Sequence, residues 1–347
     1  MKSVKVLLVV LMVLMFVVGE GKTSAAASEK PKLVIAGGVD FCASIWSIVA
    51  LKNDFFKAEG ITDADFKTFL AGTLMLEALV SGDADYAYPA NPPVVILKHA
   101  GAKPVILFPV DTTYDTQQLL IRKEIAIKKP EDLYGLKLGF LKGTTCDAML
   151  ANICRKYNLD GKKINVINMN PPDSVASITK KEIDGTIWWE PWNHRISTTV
   201  PVNVIHTGTT SYFPSNHGQK VQVAFNRSLL VVTEKFIKEN PRLTEAIVRV
   251  HVKAAEIITK PGNYEMLTRL QSDYLKQDLK MNLAINKVFT PGLTIDKTLI
   301  DDMEAAQEFL LNTGRIKSKI DMRSIIYSDP LKKIKPEWVK VEGTWKP

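Results

Sequence analysis

The stretch LKLGFLKGTTCDAMLANICRKYN, residues 136–158, contains one complete strand–turn–helix unit. LKLGF has the composition of a short buried strand, and Gly143 follows it where a tight turn is expected. The next residues are typical of a helix, and Thr144 and Thr145 are available to cap its first turn. This unit indicates a parallel sheet covered by helices.

Units of the same kind lie on both sides of this stretch. The β-rich runs before it are KLVIAGG, DADFKTFLAG, DADYAYPA and PVILFPV, and helical runs separate them, the first reading from Ser44 to Gly60. The β-rich runs after it are INVINMN, IDGTIWW and NVIHTG, again separated by helical runs. Strands that alternate with helices predict the α/β class.

Two further β-rich runs, QQLLIRK and QVAFNRSLLVV, stand at the two ends of the second series of units. The chain after residue 240 is mainly helical, with apolar residues at helical spacing. We therefore predict one α/β unit, a second α/β unit inserted into it, and a helical return. Two crossings between the units form a hinge, and the cleft between them is the expected ligand site.

The first residues resemble a secretory signal peptide. Lys2 and Lys5 precede an uninterrupted apolar run from Val6 to Val18, and small residues ending in Ala25-Ala26-Ala27 follow. The run is shorter than the roughly 20 residues of a membrane-spanning helix, so cleavage after residue 27 is favoured over an anchor. The sequence thus predicts export to the periplasm.

The composition argues against several other classes of protein. The net charge of +8 is spread along the chain without a basic stripe interleaved with aromatics, so nucleic acid is not an expected partner. There is no C-x-x-C, and the five histidines are scattered, so no metal or cofactor is predicted. Cys146 and Cys154 would lie about 12 Å apart on one helix, beyond the roughly 7 Å that a disulfide spans.

Two helix starts are candidate anion sites. Gly143, Thr144 and Thr145 stand at one, and Gly72 and Thr73 at the other. Free N–H groups and the positive end of the helix dipole favour an oxyanion there, although each motif is also compatible with a plain helix cap. If the two starts face each other across the cleft, they could clamp a carboxylate or a sulfonate.

The run IDGTIWWEPW supplies the candidate aromatic wall. Strand geometry would direct Trp188 and Trp189 to opposite faces, one into the core and one towards the cleft. Pro191 turns the chain, which would place Trp192 on the lip of the cleft, and Trp46 could oppose these rings from the other unit. Such rings offer apolar burial and a face for a cation or a planar group.

Carboxylates form the second candidate set. Glu190 lies beside the tryptophans, and Asp40 and Asp111 lie at predicted strand ends, although each is equally compatible with a turn or cap role. Phe41 beside Asp40 and Asn91 in YAYPANPP complete the predicted ligand contacts. Two acids in the cleft would disfavour a bare anion such as nitrate, and would favour an amino-bearing zwitterion or a neutral aromatic heterocycle.

An ordered series of segments resembles the periplasmic solute-binding proteins of ABC transporters, in the nitrate/sulfonate/taurine-type group. The segments are FFKAEG, GTLMLEALVSGDADYAY, IKKPEDLYGLKLGFLKGTT, KKEIDGTIWWEPW and LLVVTEKFIKENP. The resemblance extends over most of the chain, from about Lys32 to Thr313. Three departures, Glu182, the YAYPANPP loop and the tryptophan-rich turn, affect the expected ligand more than the fold.

The resemblance implies the type II periplasmic binding protein fold, with parallel-rich sheets and a two-strand hinge. It implies that residues 28–117 and 226–347 form the first lobe and residues 118–225 the second. It also implies a monomeric, non-enzymatic component of an importer that delivers a small organic solute to an inner-membrane permease. That solute would be a sulfonate, an amino-sulfonate or carboxylate, or an aromatic heterocycle. A periplasmic enzyme and a sensor domain remain alternatives, although no G-x-S-x-G, H-E-x-x-H or Walker-type run is present.

Overall fold

The computed structural model describes residues 32–112 and 114–347. The predicted signal peptide, residues 1–27, lies outside the described residues. Within them the chain forms two five-stranded sheets, each covered by helices. The predicted α/β class with two lobes is confirmed.

Ten strands build the two sheets. They are β1 (Lys32–Gly38), β2 (Asp63–Phe69), β3 (Tyr86–Ala87), β4 (Pro104–Pro109), β5 (Gln118–Arg122), β6 (Lys137–Phe140), β7 (Asn165–Asn168), β8 (Gly185–Trp188), β9 (Val202–Thr207) and β10 (Leu229–Thr233). The first sheet has the order β2-β1-β3-β10-β4 and the second β7-β6-β8-β5-β9. We call the part built on the first sheet lobe 1 and the part built on the second lobe 2.

Both sheets are mixed rather than parallel-rich. In lobe 1, β1 pairs in parallel with β2 and β3, whereas β10 runs antiparallel to β3 and β4. Lobe 2 repeats the pattern, because β6 pairs in parallel with β7 and β8, and β5 runs antiparallel to β8 and β9. In each sheet one strand runs antiparallel to both of its neighbours, namely β10 in lobe 1 and β5 in lobe 2. Each of these strands directly follows a crossing between the lobes.

Thirteen helices of the described chain cover these sheets. They are α1 (Ile45–Lys52), α2 (Phe55–Ala58), α3 (Gly72–Ser81), α4 (Asn91–His99), α5 (Thr145–Lys156), α6 (Pro171–Thr179), α7 (Trp192–Thr199), α8 (Glu234–Glu239), α9 (Pro241–Ile258), α10 (Tyr264–Leu275), α11 (Leu279–Ile285), α12 (Lys297–Asn312) and α13 (Asp329–Ile334). Short 3-10 helices are Tyr114–Thr116, Pro130–Leu133, Gly161–Lys163, Pro214–Asn216, Asn286–Val288, Met322–Ile325 and Pro336–Trp338. No described helix is long and apolar enough to cross a bilayer.

Each lobe has its own hydrophobic core. In lobe 1 the continuous apolar runs of β1 and β4 are almost completely buried under α1 and α9. In lobe 2 the core forms around β5 and β8, under α5. Two separate cores explain how a chain of 347 residues folds, since one core rarely grows beyond about 250–300 residues.

The chain crosses between the lobes twice, at residues 110–117 between β4 and β5 and in the residues just before β10. These two crossings lie side by side. The Val110 N–H donates to the Ser228 carbonyl oxygen at 2.8 Å. Asp302 of α12 binds both crossings, because it accepts from the Tyr114 hydroxyl at 2.7 Å and from the Arg227 guanidinium at 2.5 Å. The predicted long strand QVAFNRSLLVV is shorter in the structure, since β10 begins only at Leu229 and the residues before it form the crossing.

The first predicted helix is also divided. The structure has α1 and α2 where the sequence pattern predicted one helix from Ser44 to Gly60. Asp54 between them adopts a positive φ of 53°, which interrupts the helical hydrogen bonding. Gly60 ends the segment in a left-handed conformation, as its position in the sequence indicated.

Candidate functional site

A large cleft lies between the lobes. It encloses about 930 Å³, counted out to its open mouth. Lobe 1 contributes the loop after β1, the start of α3, the loop before α4 and the segment around α11. Lobe 2 contributes the start of α5 and the turn after β8. The cleft therefore lies beside the two crossings, where relative movement of the lobes would change its shape.

Aromatic and aliphatic side chains form much of the wall. Phe41 and Phe289 meet edge to face with ring centroids 4.8 Å apart, and Trp189 lies on the lobe 2 wall. Other apolar lining residues are Val39, Phe69, Leu70, Met75, Pro93, Ile285 and Val288. A solute with an aromatic or aliphatic body would bury much of its surface here.

The paired tryptophans of β8 and its turn divide as predicted. Trp188 is fully buried, and its indole N–H donates to the Ser174 hydroxyl at 2.8 Å. Trp189 lines the cleft, and the two rings meet edge to face at 5.3 Å. The strand alternation thus directs one ring into the lobe 2 core and the other towards the cleft.

The other two tryptophan placements differ from the prediction. Trp192 does not stand on the lip, because it opens α7 and is only 3% exposed in the lobe 2 core, with the Arg195 guanidinium 4.7 Å from its ring centroid. Trp46 does not oppose the lobe 2 rings, because it is completely buried in α1 and stacks near His251. Both positions are one helical turn or less from the cleft but face the core.

Asp40 lines the cleft from lobe 1. Its Oδ1 accepts the Ala43 N–H at 2.9 Å, and its carbonyl oxygen accepts the Ser44 hydroxyl at 2.5 Å, so the loop is fixed at the start of α1. Burial raises the pKa of Asp40 to about 6, against the Ala43 hydrogen bond, and the nearby Asp111 carboxylate adds to the increase. The carboxyl group is held in a place where its charge is poorly solvated.

Glu190 lines the cleft from lobe 2. Its Oε2 accepts the His194 N–H at 3.0 Å, and its own N–H donates to the Thr116 carbonyl oxygen at 3.1 Å. Burial raises the pKa of Glu190 to about 7, although the His194 hydrogen bond acts in the opposite direction. Two carboxyl groups of raised pKa therefore face the cleft from opposite lobes.

At the predicted anion site in lobe 2, some of the hydrogen-bond donors are already engaged within the protein. Gly143 adopts a φ of +79° in the turn before α5, but its N–H donates to Asp147 Oδ2 at 2.9 Å, and it does not line the cleft. Thr144 caps α5 by accepting the Cys146 N–H, and its hydroxyl donates to the Leu141 carbonyl oxygen at 2.6 Å. Thr144 and Thr145 both line the cleft.

The helix start in lobe 1 remains open. Gly72 begins α3 and lines the cleft, and no side chain caps this helix. A Cβ at Gly72 would come within 3.3 Å of the Pro89 backbone, so glycine allows the close approach of α3 to the loop before α4. Thr73 follows it in α3 but does not line the cleft.

Two predicted contacts belong to the hinge instead. Asn91 is buried at the start of α4, where its amide nitrogen donates to the carbonyl oxygens of Phe225 and Asp302 at 3.0 and 2.9 Å. Asp111 is buried in the first crossing and accepts the Ser228 N–H at 3.1 Å. Both residues therefore hold the crossings together next to the cleft rather than lining it.

The sequence analysis missed a polar shelf from the helical return. Gln271 of α10, Asn282 of α11 and Asn286 line the cleft of lobe 1. Asn286 donates to Gln271 Oε1 at 2.9 Å, and Gln271 donates to the Ser44 hydroxyl at 3.5 Å. Only the tertiary packing of α10 and α11 against the loop after β1 brings these amides to the site, so no local pattern signals them.

Tyr88 was also missed and is held by a buried network. Its hydroxyl lies 2.7 Å from the Ser47 hydroxyl and 2.5 Å from His251 Nε2. Burial lowers the pKa of His251 to about 4, and its Nδ1 lies 2.7 Å from the Ile247 carbonyl oxygen. The neutral imidazole thus donates from Nδ1 and accepts from Tyr88. Thr116, Asn226 and Ser228 of the crossings complete the polar lining.

Two α/β lobes joined by two crossings, with an open cleft between them, define the class of periplasmic binding proteins. The chain belongs to the NMT1/THI5-like family, whose model matches residues 42–263. A binding protein of Brucella abortus (strain 2308) is 24% identical over 322 residues, which cover 88% of this chain and 96% of the relative. The taurine-binding periplasmic protein of Escherichia coli (strain K12) is 26% identical over 280 residues, 76% of this chain and 82% of that protein.

Solved structures share the fold at low sequence identity. The periplasmic aliphatic sulphonate binding protein SsuA from Escherichia coli has a TM-score of 0.69 and 18% identity, over 86% of this chain and 93% of that chain. The desulfurization enzyme DSZB has a TM-score of 0.61 and 12% identity, over 89% of this chain and 99% of that chain. The fold therefore serves both binding proteins and an enzyme, and the choice between them depends on the site.

Proposed function

We propose that this protein is the solute-binding component of an ABC importer, which captures a small organic solute in the cleft and releases it unchanged to a membrane permease. The observation that carries the proposal is the cleft itself, which takes its lining from both lobes beside the two crossings. A solute that touches both lobes prefers the closed state, and this preference is what shifts the equilibrium between open and closed forms. The periplasmic relatives support this role in that compartment.

One histidine close to the cleft is not placed for catalysis. His251 is buried and acts as an acceptor for Tyr88, so it does not reach a solute as a general base. The chain acts as a monomer in this proposal, because one copy provides the complete cleft.

Mass spectrometry of the compound that copurifies with the protein tests the proposal. We expect one small organic solute, bound in a one-to-one ratio and recovered unchanged after release. Prolonged incubation of that compound with the protein provides the control. Formation of a new product would reassign the chain to the enzymes of this fold, and the absence of any bound or bindable small solute would remove the proposal.

A further inference from the structure

The charged groups of the cleft are of one sign. Asp40 and Glu190 line it from opposite lobes, and none of the described lining residues is a lysine, an arginine or a histidine. Arg227 carries a positive charge on the second crossing, but its guanidinium donates to Asp302 and Thr298. An anionic solute would therefore meet two carboxyl groups with no side-chain cation beside them, and whatever negative charge they carry would repel it in a poorly solvated site.

The hydrogen-bonding groups show the same bias. The amide nitrogen of Asn286 donates to Gln271, and that of Asn282 donates to the Ser272 hydroxyl at 2.9 Å and to Gln277 Oε1 at 3.0 Å. Both N–H groups of the Asn282 amide are engaged, so this residue offers a solute its side-chain oxygen, whereas Asn286 keeps its side-chain oxygen and one N–H. Both residues therefore add to the acceptors that Asp40 and Glu190 already provide.

Several potential donors of the lining are already engaged within the protein. The Thr144 hydroxyl donates to Leu141, and the Tyr88 hydroxyl donates to His251. The Gly143 N–H, which lies outside the lining just before α5, donates to Asp147. The uncapped first turn of α3 at Gly72 retains donors, and one neutral acceptor atom of a solute would satisfy them.

We infer that the solute is an organic cation that bears N–H groups on an aromatic or aliphatic body, such as an amine, an amidinium or a protonated amino-heterocycle. Its N–H groups donate to the carboxylates of Asp40 and Glu190, and its body packs between Trp189 and the Phe41–Phe289 pair. The inference rests on the proposed function and specifies the ligand class of the same cleft. It assigns to this chain a ligand opposite in charge to the sulfonates that the similar proteins are named for.

A matched pair of probes tests the charge preference. Benzamidine and benzoate share one aromatic ring and carry opposite charge, and taurine and benzenesulfonate extend the comparison to a zwitterion and a sulfonate. We expect benzamidine to raise the Tm of the ligand-free protein and to quench tryptophan fluorescence in a saturable manner, and we expect the other three to have neither effect. A bound ligand stabilises the folded state in proportion to the logarithm of its concentration over Kd.

Three variants localise the effect. Asp40→Asn and Glu190→Gln keep an acceptor oxygen for Ala43 and His194 but remove the charge, and each should weaken benzamidine binding by about 10- to 100-fold. Glu131→Gln, which changes an exposed acid of lobe 2 outside the cleft, should bind benzamidine as the parent does. Circular dichroism of all three shows whether each variant is folded before its affinity is compared.

The outcomes separate this inference from the proposed function. Binding of benzoate, taurine or benzenesulfonate in preference to benzamidine would overturn the inference and leave a solute-binding protein of another specificity. Equal affinity of the parent and the two cleft variants for benzamidine would overturn it as well. If no probe binds and no solute copurifies, the inference and the proposed function both fail.

Discussion

At the scale of single residues, the most informative feature is a carboxyl group placed where its charge is costly. Glu190 accepts a hydrogen bond from a backbone N–H, but the described cleft lining offers it no cation. Burial shifts its pKa from 4.5 to about 7. Between these two pH values the folded state therefore holds a proton on Glu190 that the unfolded state has released. Carboxyl groups with a pKa raised by burial in a cleft are common at functional sites, where they lower the stability of the fold.

The first prediction concerns the stability of the Glu190→Gln variant. A raised folded-state pKa means that the parent loses stability as the pH rises from about 4.5 to about 7, because the unfolded state deprotonates first. The variant has no such loss. At about pH 8 it should be more stable than the parent, by up to about 3 kcal/mol, and near pH 4.5 the difference should largely vanish.

Thermal unfolding of the ligand-free proteins across this pH range measures the effect. Glu131→Gln serves as the matched control, since Glu131 is exposed and its substitution should leave the pH profile unchanged. Equal Tm values for the parent and Glu190→Gln at about pH 8 would mean that the carboxylate is well solvated in the folded protein. A cationic solute would then gain little from neutralising this group.

At the scale of elements, neighbouring residues of β8 and of the turn after it lie in different parts of the fold. Period-two alternation puts Trp188 against Ser174 in the core and Trp189 on the cleft wall. The alternation ends with the strand, and α7 begins at Trp192 with helical geometry that returns this ring to the core. A tryptophan-rich run thus supplies one cleft residue and two core residues.

The second prediction uses this alternation. Trp188→Ala removes a fully buried ring and should lower the free energy of unfolding by about 3–5 kcal/mol. Trp189→Ala should cost much less stability, because its ring is partly exposed, but it should weaken benzamidine binding by about tenfold through loss of the aromatic face. Urea denaturation and fluorescence-independent calorimetric titration separate the two effects.

The opposite pattern would contradict the assignment. If Trp189→Ala binds benzamidine as tightly as the parent while Trp188→Ala does not, the cleft is lined by the other face of β8. Trp192→Ala provides a further check, since a core position predicts a stability loss and no direct contact with the solute.

Local patterns predicted what depends on neighbouring residues and failed where distant segments meet. Glycine turns, the caps of α5 and the alternation at Trp188 and Trp189 follow from short-range geometry, and the structure has them as predicted. The polar shelf of Gln271, Asn282 and Asn286 depends on how distant helices pack. The hydrogen bond from the Gly143 N–H to Asp147 depends on one side-chain rotamer. The burial of Trp46 depends likewise on how α9 covers α1.

At the scale of the whole molecule, the hinge and the cleft form one unit. Asp302 of α12 binds Tyr114 on one crossing and Arg227 on the other, with side chains of Asp302 and Arg227 only 7% exposed. The Arg315–Asp147 ion pair joins lobe 1 to α5 of lobe 2 outside the cleft. The crossings are therefore fixed to lobe 1, and rotation of lobe 2 about them would open or close the cleft.

The last prediction is that solute binding makes the molecule more compact. Asp40 and the Phe41–Phe289 pair belong to lobe 1, whereas Glu190 and Trp189 belong to lobe 2, so a solute that contacts these groups bridges the lobes and favours their closed arrangement. Small-angle X-ray scattering should show a smaller radius of gyration at saturating copurified solute than in the ligand-free protein. The double variant Asp40→Asn/Glu190→Gln should show no decrease at the same solute concentration. A bound solute, demonstrated by calorimetry, with an unchanged radius of gyration would mean that the cleft binds without closing, and the two-lobe clamp would have to be replaced by a preformed site.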